Sequence, residues 1–575
     1  MHKTIIRRSL EDGDCQLPET LHPVLRQIYA ARAIRSEKEL DHSLTGLHPA
    51  ALLSGLDEAL ELMVDVLHSQ SRILIVGDFD ADGATSCALA MRMLPQFGYQ
   101  HVDYLVPNRF KFGYGLTPEI VEIALQREPD LIITVDNGIS SLQGVAAANA
   151  NGIAVLVTDH HLPGDTLPDA AAILNPNKRG DPFPSKNLAG VGVMFYLLMA
   201  LRAHLREQNW FAEAQRKEPN LADALDLVAL GTVADVVPLD HNNRILVEQG
   251  LRRIRAGHCC AGIHALLALG KRNPAQLVAS DLGFAVGPRL NAAGRLDDMS
   301  LGIECLLATT PERANELAQK LDELNLERRR IEQEMQTDAE RDLDALELTD
   351  ETLPLGLCLF RENWHPGVVG ILASRIKDRF HRPVLVFAPD GDDVIKGSGR
   401  SIPGLHIRDA LDAIATRHPD LISHFGGHAM AAGLSIAREH FDAFRQAFEE
   451  ELARHLSEES LQNVVHSDGE LSANDLNLGF AELLRTAGPW GQAFPEPVFD
   501  GVFDIDQRRI VGEHHLKLVL RDPDTGQLID GIAFNQTDAD WADNVRSLRV
   551  AFRLDVNEYR DKRSPQLMIE YLEPV

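Results

Sequence analysis

Ser71–Gly77, SRILIVG, runs directly into Asp78-Phe79-Asp80-Ala81-Asp82-Gly83, and this stretch decides how the chain folds. A short β-rich apolar run that ends at a glycine and an acidic cluster is the pattern of a buried parallel strand feeding a functional loop. The pattern recurs at Leu131–Val135 (LIITV), which ends in Asp136-Asn137-Gly138, and at Ile153–Val157 (IAVLV), which ends in Thr158-Asp159-His160-His161. Helical stretches such as TPEIVEIALQRE separate them. Strand, helix and strand at this spacing predict an α/β fold with a doubly wound parallel sheet, in which ligands gather at the carboxyl ends of the strands. Three such ends carry acids or histidines, so one shared site is expected.

Asp78, Asp80 and Asp82 alternate within one turn. Carboxylates so close repel one another strongly, and a cation is the simplest remedy. A calcium loop would need a bidentate acid about nine residues on, where apolar ATSCALAM stands instead. A solvated acidic turn with capping aspartates is a rival reading for this loop alone. The other two loops weigh against it, because they bring an imidazole pair and further oxygens to the same sheet edge. The mixed donor set suits Mn²⁺ or Mg²⁺ better than Zn²⁺, since no thiolate accompanies it. A further acid, Asp235, sits in DLVALGTVADVVPL, an apolar setting where an unpaired carboxylate is costly and a metal would account for it.

At 575 residues the chain exceeds what one core usually supports. Its 45% hydrophobic and 25% charged composition is that of a folded protein. Six cysteines lie scattered without a CxxC spacing, which argues against a zinc ribbon or a disulfide framework. No apolar run is long enough to span a bilayer, and MHKTIIRRSLEDGD carries charges where a signal peptide needs an apolar centre. A cytoplasmic protein that does not engage membranes is expected. The net charge of −29 constrains any nucleic-acid reading, because a phosphate backbone would require a local basic channel within an acidic shell.

The chain is expected to divide into an amino-terminal helical segment (1–60), the sheet domain (61–305), a connecting helix (306–345), a second α/β domain (346–455) and a small carboxyl-terminal β-barrel (460–575). The connector begins at Thr-Pro-Glu and places Leu317, Leu321, Leu324, Ile331 and Met335 near helical spacing. Its other faces are charged, so it is expected to cross solvent over roughly 45 Å. The barrel is predicted from the short strands HLKLVL, GIAFN and LRVAFRLDV with turns between them.

The succession GDFDADG, VDNG, TDHH and GTVADVVPL resembles the four motifs of the DHH phosphoesterase superfamily, named for the triplet at Asp159, His160 and His161. PNRFKFGYGL, LAGVGV, GPRLNAAGR, NWHPGVVGILASRI, KGSGRS and FGGHAMAAGL extend the likeness over nearly the whole chain. They are similar to the superfamily's single-strand exonuclease branch, with its DHH-associated domain and OB-like barrel. That resemblance implies two divalent cations, Mn²⁺ or Mg²⁺, held by Asp80, Asp82, Asp136, His160 and Asp235. Asp136 would be the bridge, and Asp78 a ligand or supporting acid. His161 would face the scissile phosphate while Asp159 orients the histidine pair. The implied activity is 5′→3′ digestion of single-stranded DNA to 5′-mononucleotides in repair and recombination, by a two-metal displacement. The enzyme would be a monomer partnered by a helicase and a single-strand-binding protein. Alternatives are an oligonucleotide phosphodiesterase, or an inactive DNA-binding scaffold that should have lost ligands; none of the expected ligands is missing.

For the strand itself, Arg109 and Tyr114 with Gly113 and Gly115 offer a guanidinium, a ring and backbone amides. Arg289 and Arg295, then Lys396, Ser398, Arg400, Gly427 and His428, read either as phosphate-gripping loops or as tight glycine turns. The resemblance favours DNA, with Arg289 and Arg400 as candidates for a 5′-phosphate pocket. Tyr114, Phe110 and Trp364 read as rings for stacking on bases, with core packing an equally good explanation for Trp364. Lys517 and the RDKR stretch at Arg560 are the basic candidates on the barrel.

Overall fold

The computed structural model describes residues 3–9, 16–107, 115–344, 353–457, 459–512, 514–537, 545–559 and 562–575, with only the backbone of 342, 344 and 559. Two compact units divide it. One comprises Met1–Arg7 with Leu326–Ser467, and the other Arg8–Asn325 with Asp468–Val575.

The chain opens with strand β1 (Thr4–Arg7), where the sequence pattern suggests only helix. The larger unit then builds a five-stranded, fully parallel sheet from β2 (Ile73–Gly77), β3 (Val102–Leu105), β4 (Leu131–Val135), β5 (Ala154–Thr158) and β6 (Ala172–Leu174), in the order β3-β2-β4-β5-β6. Every residue of β2 and β4 is buried, as expected where helices cover both faces. Ile73, Ile75, Leu131 and Ile133 join the core that includes helices Ala81–Phe97 and Gly190–Glu207. Leu74, Val76 and Ile132 point to the other side, with Ile120, Val121 and Val145. The strand order reverses between β2 and β4, and ligands of open α/β sheets settle outside such a point. Helix Leu56–Ser69 runs through the expected end of the amino-terminal helical segment.

The smaller unit has a mixed sheet of β7 (Leu357–Phe360), β8 (Val384–Pro389), β9 (Val394–Arg400), β10 (His424–Gly427) and β11 (Ala431–Ala437), ordered β10-β11-β9-β8-β7. Only β7 and β8 run parallel. Strand β12 (Val464–Ser467) pairs in parallel with β1, Thr4 opposite Val464. The long helix spans Pro311–Asp344, close to expectation, but it is not a bare solvent crossing. Ala314, Leu317, Ala318 and Leu321 are buried in the core of the larger unit, and Met335, Ala339 and Leu343 in a core of the smaller. Trp364 is 3% exposed among the latter, so its ring serves packing.

The carboxyl-terminal part of the larger unit closes into a barrel of β13 (Phe499–Val511), β14 (His515–Arg521), β15 (Leu528–Ala533), β16 (Ser547–Tyr559) and β17 (Lys562–Pro574), ordered β13-β14-β15-β17-β16. Leu516, Leu518 and Leu520 alternate inward along β14 and are fully buried, the period of a barrel wall. Among the described residues no helix is long and apolar enough to cross a membrane.

Candidate metal centre

Asp80 caps the helix Ala81–Phe97 that follows β2. Its Oδ1 accepts from the backbone N–H groups of Asp82 at 2.9 Å and Gly83 at 3.1 Å, satisfying donors that a helix start leaves open. Asp82, one residue into that helix, is fully buried. Its Oδ2 accepts from Gly190 N–H at 2.5 Å and its Oδ1 from Val191 N–H at 3.0 Å. The amino terminus of helix Gly190–Glu207 therefore holds this carboxylate, with its dipole of favourable sign. A side chain at 190 is impossible without rearrangement, since a Cβ there would lie 2.6 Å from Asp136 Cβ.

Asp136 follows β4 in a left-handed conformation, φ +60°, that is costly for a residue with a side chain. Its N–H continues the ladder to Thr158 O at 3.0 Å. From β5, His160 brings Nε2 to 3.0 Å from Asp136 Oδ1, 3.5 Å from Asp235 Oδ2 and 4.0 Å from Asp82 Oδ2. Asp235 arrives from the end of helix Leu225–Ala234. Asparagines after β6 clamp the backbone of the histidine pair: Asn175 Nδ2 donates to His161 O at 2.9 Å and Asn177 Nδ2 to His160 O at 2.6 Å.

Asp159 is the organiser of the triplet. Its Oδ1 accepts from His160 N–H at 2.7 Å and His161 N–H at 3.0 Å, and lies 2.7 Å from His161 Nδ1, while Oδ2 accepts from Ile139 N–H at 2.9 Å. Burial opposes its charge, yet these bonds and the charge of His161 hold the carboxyl down to about 2. Burial likewise opposes charge on His161, and Asp159, with Asp235 and Asp78, outweighs it and lifts the ring to about 9.

Six predicted ligands and His161 fall into three overlapping sets of donor atoms, each within 4.8 Å: Asp78, Asp80 and Asp136; Asp136, His160 and His161; Asp82, His160 and Asp235. Two of the sets share Asp136 and two share His160, the pattern of a site built for more than one ion. Burial first, and mutual repulsion second, push Asp136 well above the usual carboxylate range and raise Asp82 and Asp235 to about 7. Asp235 Oδ2 and His160 Nε2 are buried and take part in no hydrogen bond among the described residues. Buried acids in mutual repulsion, together with orphaned donor atoms, fit divalent cations bound by oxygen and imidazole.

The other sequence candidates lie elsewhere. Arg109, Phe110, Gly113 and Tyr114 fall outside the described residues, as does Arg560. Arg289 is 9% exposed, with Nε donating to Asp322 Oδ1 at 2.8 Å and Nη1 to Ala285 O at 2.5 Å. Arg295 is partly exposed in the last turn of helix Gly287–Leu296. In the smaller unit, Arg400 Nη1 donates to Ser398 Oγ at 3.0 Å, and Gly427 and His428 are exposed at the end of β10. Lys517 forms an ion pair with Asp530 at 2.9 Å. Sequence reading misses Gly190, Val191, Asn175 and Asn177; LAGVGV is noticeable only as a motif, and the asparagines carry no signal beyond an Asn-Pro-Asn turn.

The fold and site define a DHH phosphoesterase. The model of the DHH family, N-terminal domain, matches residues 72–232, that of the DHHA1 domain 354–454 and that of the RecJ OB domain 467–571. A protein of Dickeya dadantii named single-stranded-DNA-specific exonuclease RecJ is 59% identical over 98% of this chain and 98% of its own. The protein of that name from Escherichia coli is 55% identical over 99% of each. The crystal structure of RecJ in complex with Mn²⁺ from Thermus thermophilus superposes with a TM-score of 0.79 at 30% identity, covering 96% of this chain and 76% of that one. The Mg²⁺ complex from the same source gives 0.73 at 28% identity, covering 96% and 75%. The chain belongs to the RecJ family.

Proposed function

We propose that the chain is a metal-dependent exonuclease specific for single-stranded DNA, with Asp78, Asp80, Asp82, Asp136, His160 and Asp235 as the ligands of two Mn²⁺ or Mg²⁺ ions. The observation that carries this reading is the overlap of the three donor sets on Asp136 and His160. Such cations, when bound, lower the pKa of water and offset charge on the entering and leaving oxygens of an in-line displacement. The chain's own contribution is placement. Asp136 is held by the strained turn after β4, Asp82 by two helix amides, and His161 by Asp159, which fixes the ring so that it can meet the phosphate.

Within the larger unit, a cleft of 670 Å³ lies between the catalytic fold and the barrel. Val236, Phe284 and Phe534 line it with Arg485, with Arg553, which is ion-paired to Glu496 and Glu570, and with the acids Glu248, Asp281 and Asp555. Exposed rings beside guanidinium groups suit a flexible strand with unpaired bases. Ser398, Arg400, Gly427 and His428 of the smaller unit, Arg109 and Tyr114, Arg289 and Arg295, and Lys517 on the barrel are our candidates for DNA contact. The resemblance of motifs supports 5′→3′ polarity, release of 5′-mononucleotides, a cytoplasmic role in repair and recombination, action as a monomer, and dependence on a helicase and a single-strand-binding protein for substrate.

The test compares Mn²⁺-dependent nucleotide release from 5′-labelled single-stranded and blunt duplex DNA, with wild type and Asp136→Ala. Release from the single strand alone, lost in the variant, is expected; equal digestion of both substrates would refute the specificity. Blocking the 5′ end must stop the reaction, and unchanged digestion of a 5′-blocked strand would overturn the polarity.

A further inference from the structure

We infer that Asn291 is a positioning residue for the cation site, holding the Asp80 loop in its ligating conformation. Helix Gly287–Leu296 touches that loop on both sides of Asp80. Asn291 Oδ1 accepts from Ala81 N–H at 2.7 Å, the residue after Asp80. One turn on, Gly294 meets the residue before it so closely that a Cβ would lie 1.7 Å from Phe79 O. Residues 291 and 294 share one helix face, so a single rigid element grips both peptide units that flank the ligand.

The loop needs this grip. The first N–H groups of helix Ala81–Phe97 have no intrahelical partner. Asp80 satisfies those of Asp82 and Gly83 through Oδ1, while its main-chain carbonyl accepts the first regular helical bond, from Ala84 N–H. The N–H of Ala81 goes to Asn291. Without that acceptor the peptide after Asp80 keeps only the helical bond from Ala84 N–H to its carbonyl, and the carboxylate loses part of its fixed bearing on Asp78 and Asp136, the other members of its donor set. The brace is itself fastened, because Arg289 ties the same helix to Asp322 and to Ala285 O. GPRLNAAGR thus acts on the metal loop through its asparagine and second glycine. Groups that orient ligands in this way typically govern metal affinity by about 10–100-fold.

This inference rests on the reading of Asp80 as a cation ligand, and the test separates the two. Mn²⁺ binding to the full chain without DNA is measured by calorimetry for wild type, Asn291→Ala, Asn291→Asp and Asn291→Leu, and each protein is also unfolded thermally in chelator. Asn291→Ala and the isosteric Asn291→Leu should bind Mn²⁺ about 10–100-fold more weakly while unfolding in chelator within a few degrees of wild type. Asn291→Asp, which keeps the acceptor oxygen, should retain affinity. Wild-type affinity in whichever of the alanine and leucine variants folds would overturn the inference, as would equal loss in Asn291→Asp. Failure of wild type to bind Mn²⁺ would instead remove the metal-site reading.

Discussion

Gly190 donates its N–H to Asp82 Oδ2 at 2.5 Å while its α-carbon faces Asp136 at a distance that admits no side chain. One glycine thus serves two of the acids at the site. Gly190→Ala should cost roughly 10–100-fold in Mn²⁺ affinity and reduce nuclease activity accordingly. Mn²⁺ titration of activity with near-wild-type binding would show that the close approach is dispensable.

Asp136 is buried among like charges whose repulsion, added to burial, raises its carboxyl well above the ordinary range. Asp136→Asn removes one of those charges. In chelator the variant should unfold at a higher temperature than wild type, yet gain nothing from added Mn²⁺ and digest no DNA. A lower midpoint in chelator would mean that the carboxylate supports the fold rather than straining it.

Arg289 answers to two descriptions, phosphate contact and buried tie. Its ion pair with Asp322 and its bond to Ala285 O predict that Arg289→Ala loses about 3 kcal/mol of stability, since removing one partner strands the other. Urea denaturation reads this directly. An unchanged urea midpoint with a selective loss of affinity for 5′-phosphorylated strands would assign the residue to DNA.

His42 is kept neutral by burial, reinforced by Arg244, His241 and Arg252, so that its ring falls to about 4. An unfolded histidine titrates near 6.5. Between those values the unfolded chain takes up a proton that the folded chain refuses, so stability falls as pH drops from about 6.5 toward 4. The drop in melting temperature between pH 7 and pH 5 should be smaller in His42→Gln than in wild type; an equal drop would exclude this ring as a source.

The features carried by side-chain patterns are readable without coordinates. Apolar runs ending in GDFDADG, DNG and DHH locate β2, β4 and β5 and the candidate ligands beyond them, and the charged segment from Thr310 locates the long helix to within a few residues. What escapes is carried by backbone atoms or by distant pairing. An amide donor such as Gly190 N–H has no residue-type signature, and Asn291 differs from any polar helix residue only by what lies opposite. The connector's apolar residues are visible at helical spacing, but the burial of its two ends in the cores of different units is not. The pairing of Thr4 with Val464 has no local trace at either strand.

That same pairing orders events during synthesis. Strand β1 finds its partner only after residue 467 has been made, because the rest of the smaller unit is inserted within the larger one, between Asn325 and Asp468. A tag or fusion at the amino end therefore burdens the unit completed by β12, although its neighbours in sequence belong to the other. Engineering the front of this chain means engineering the edge of a domain encoded more than three hundred codons downstream.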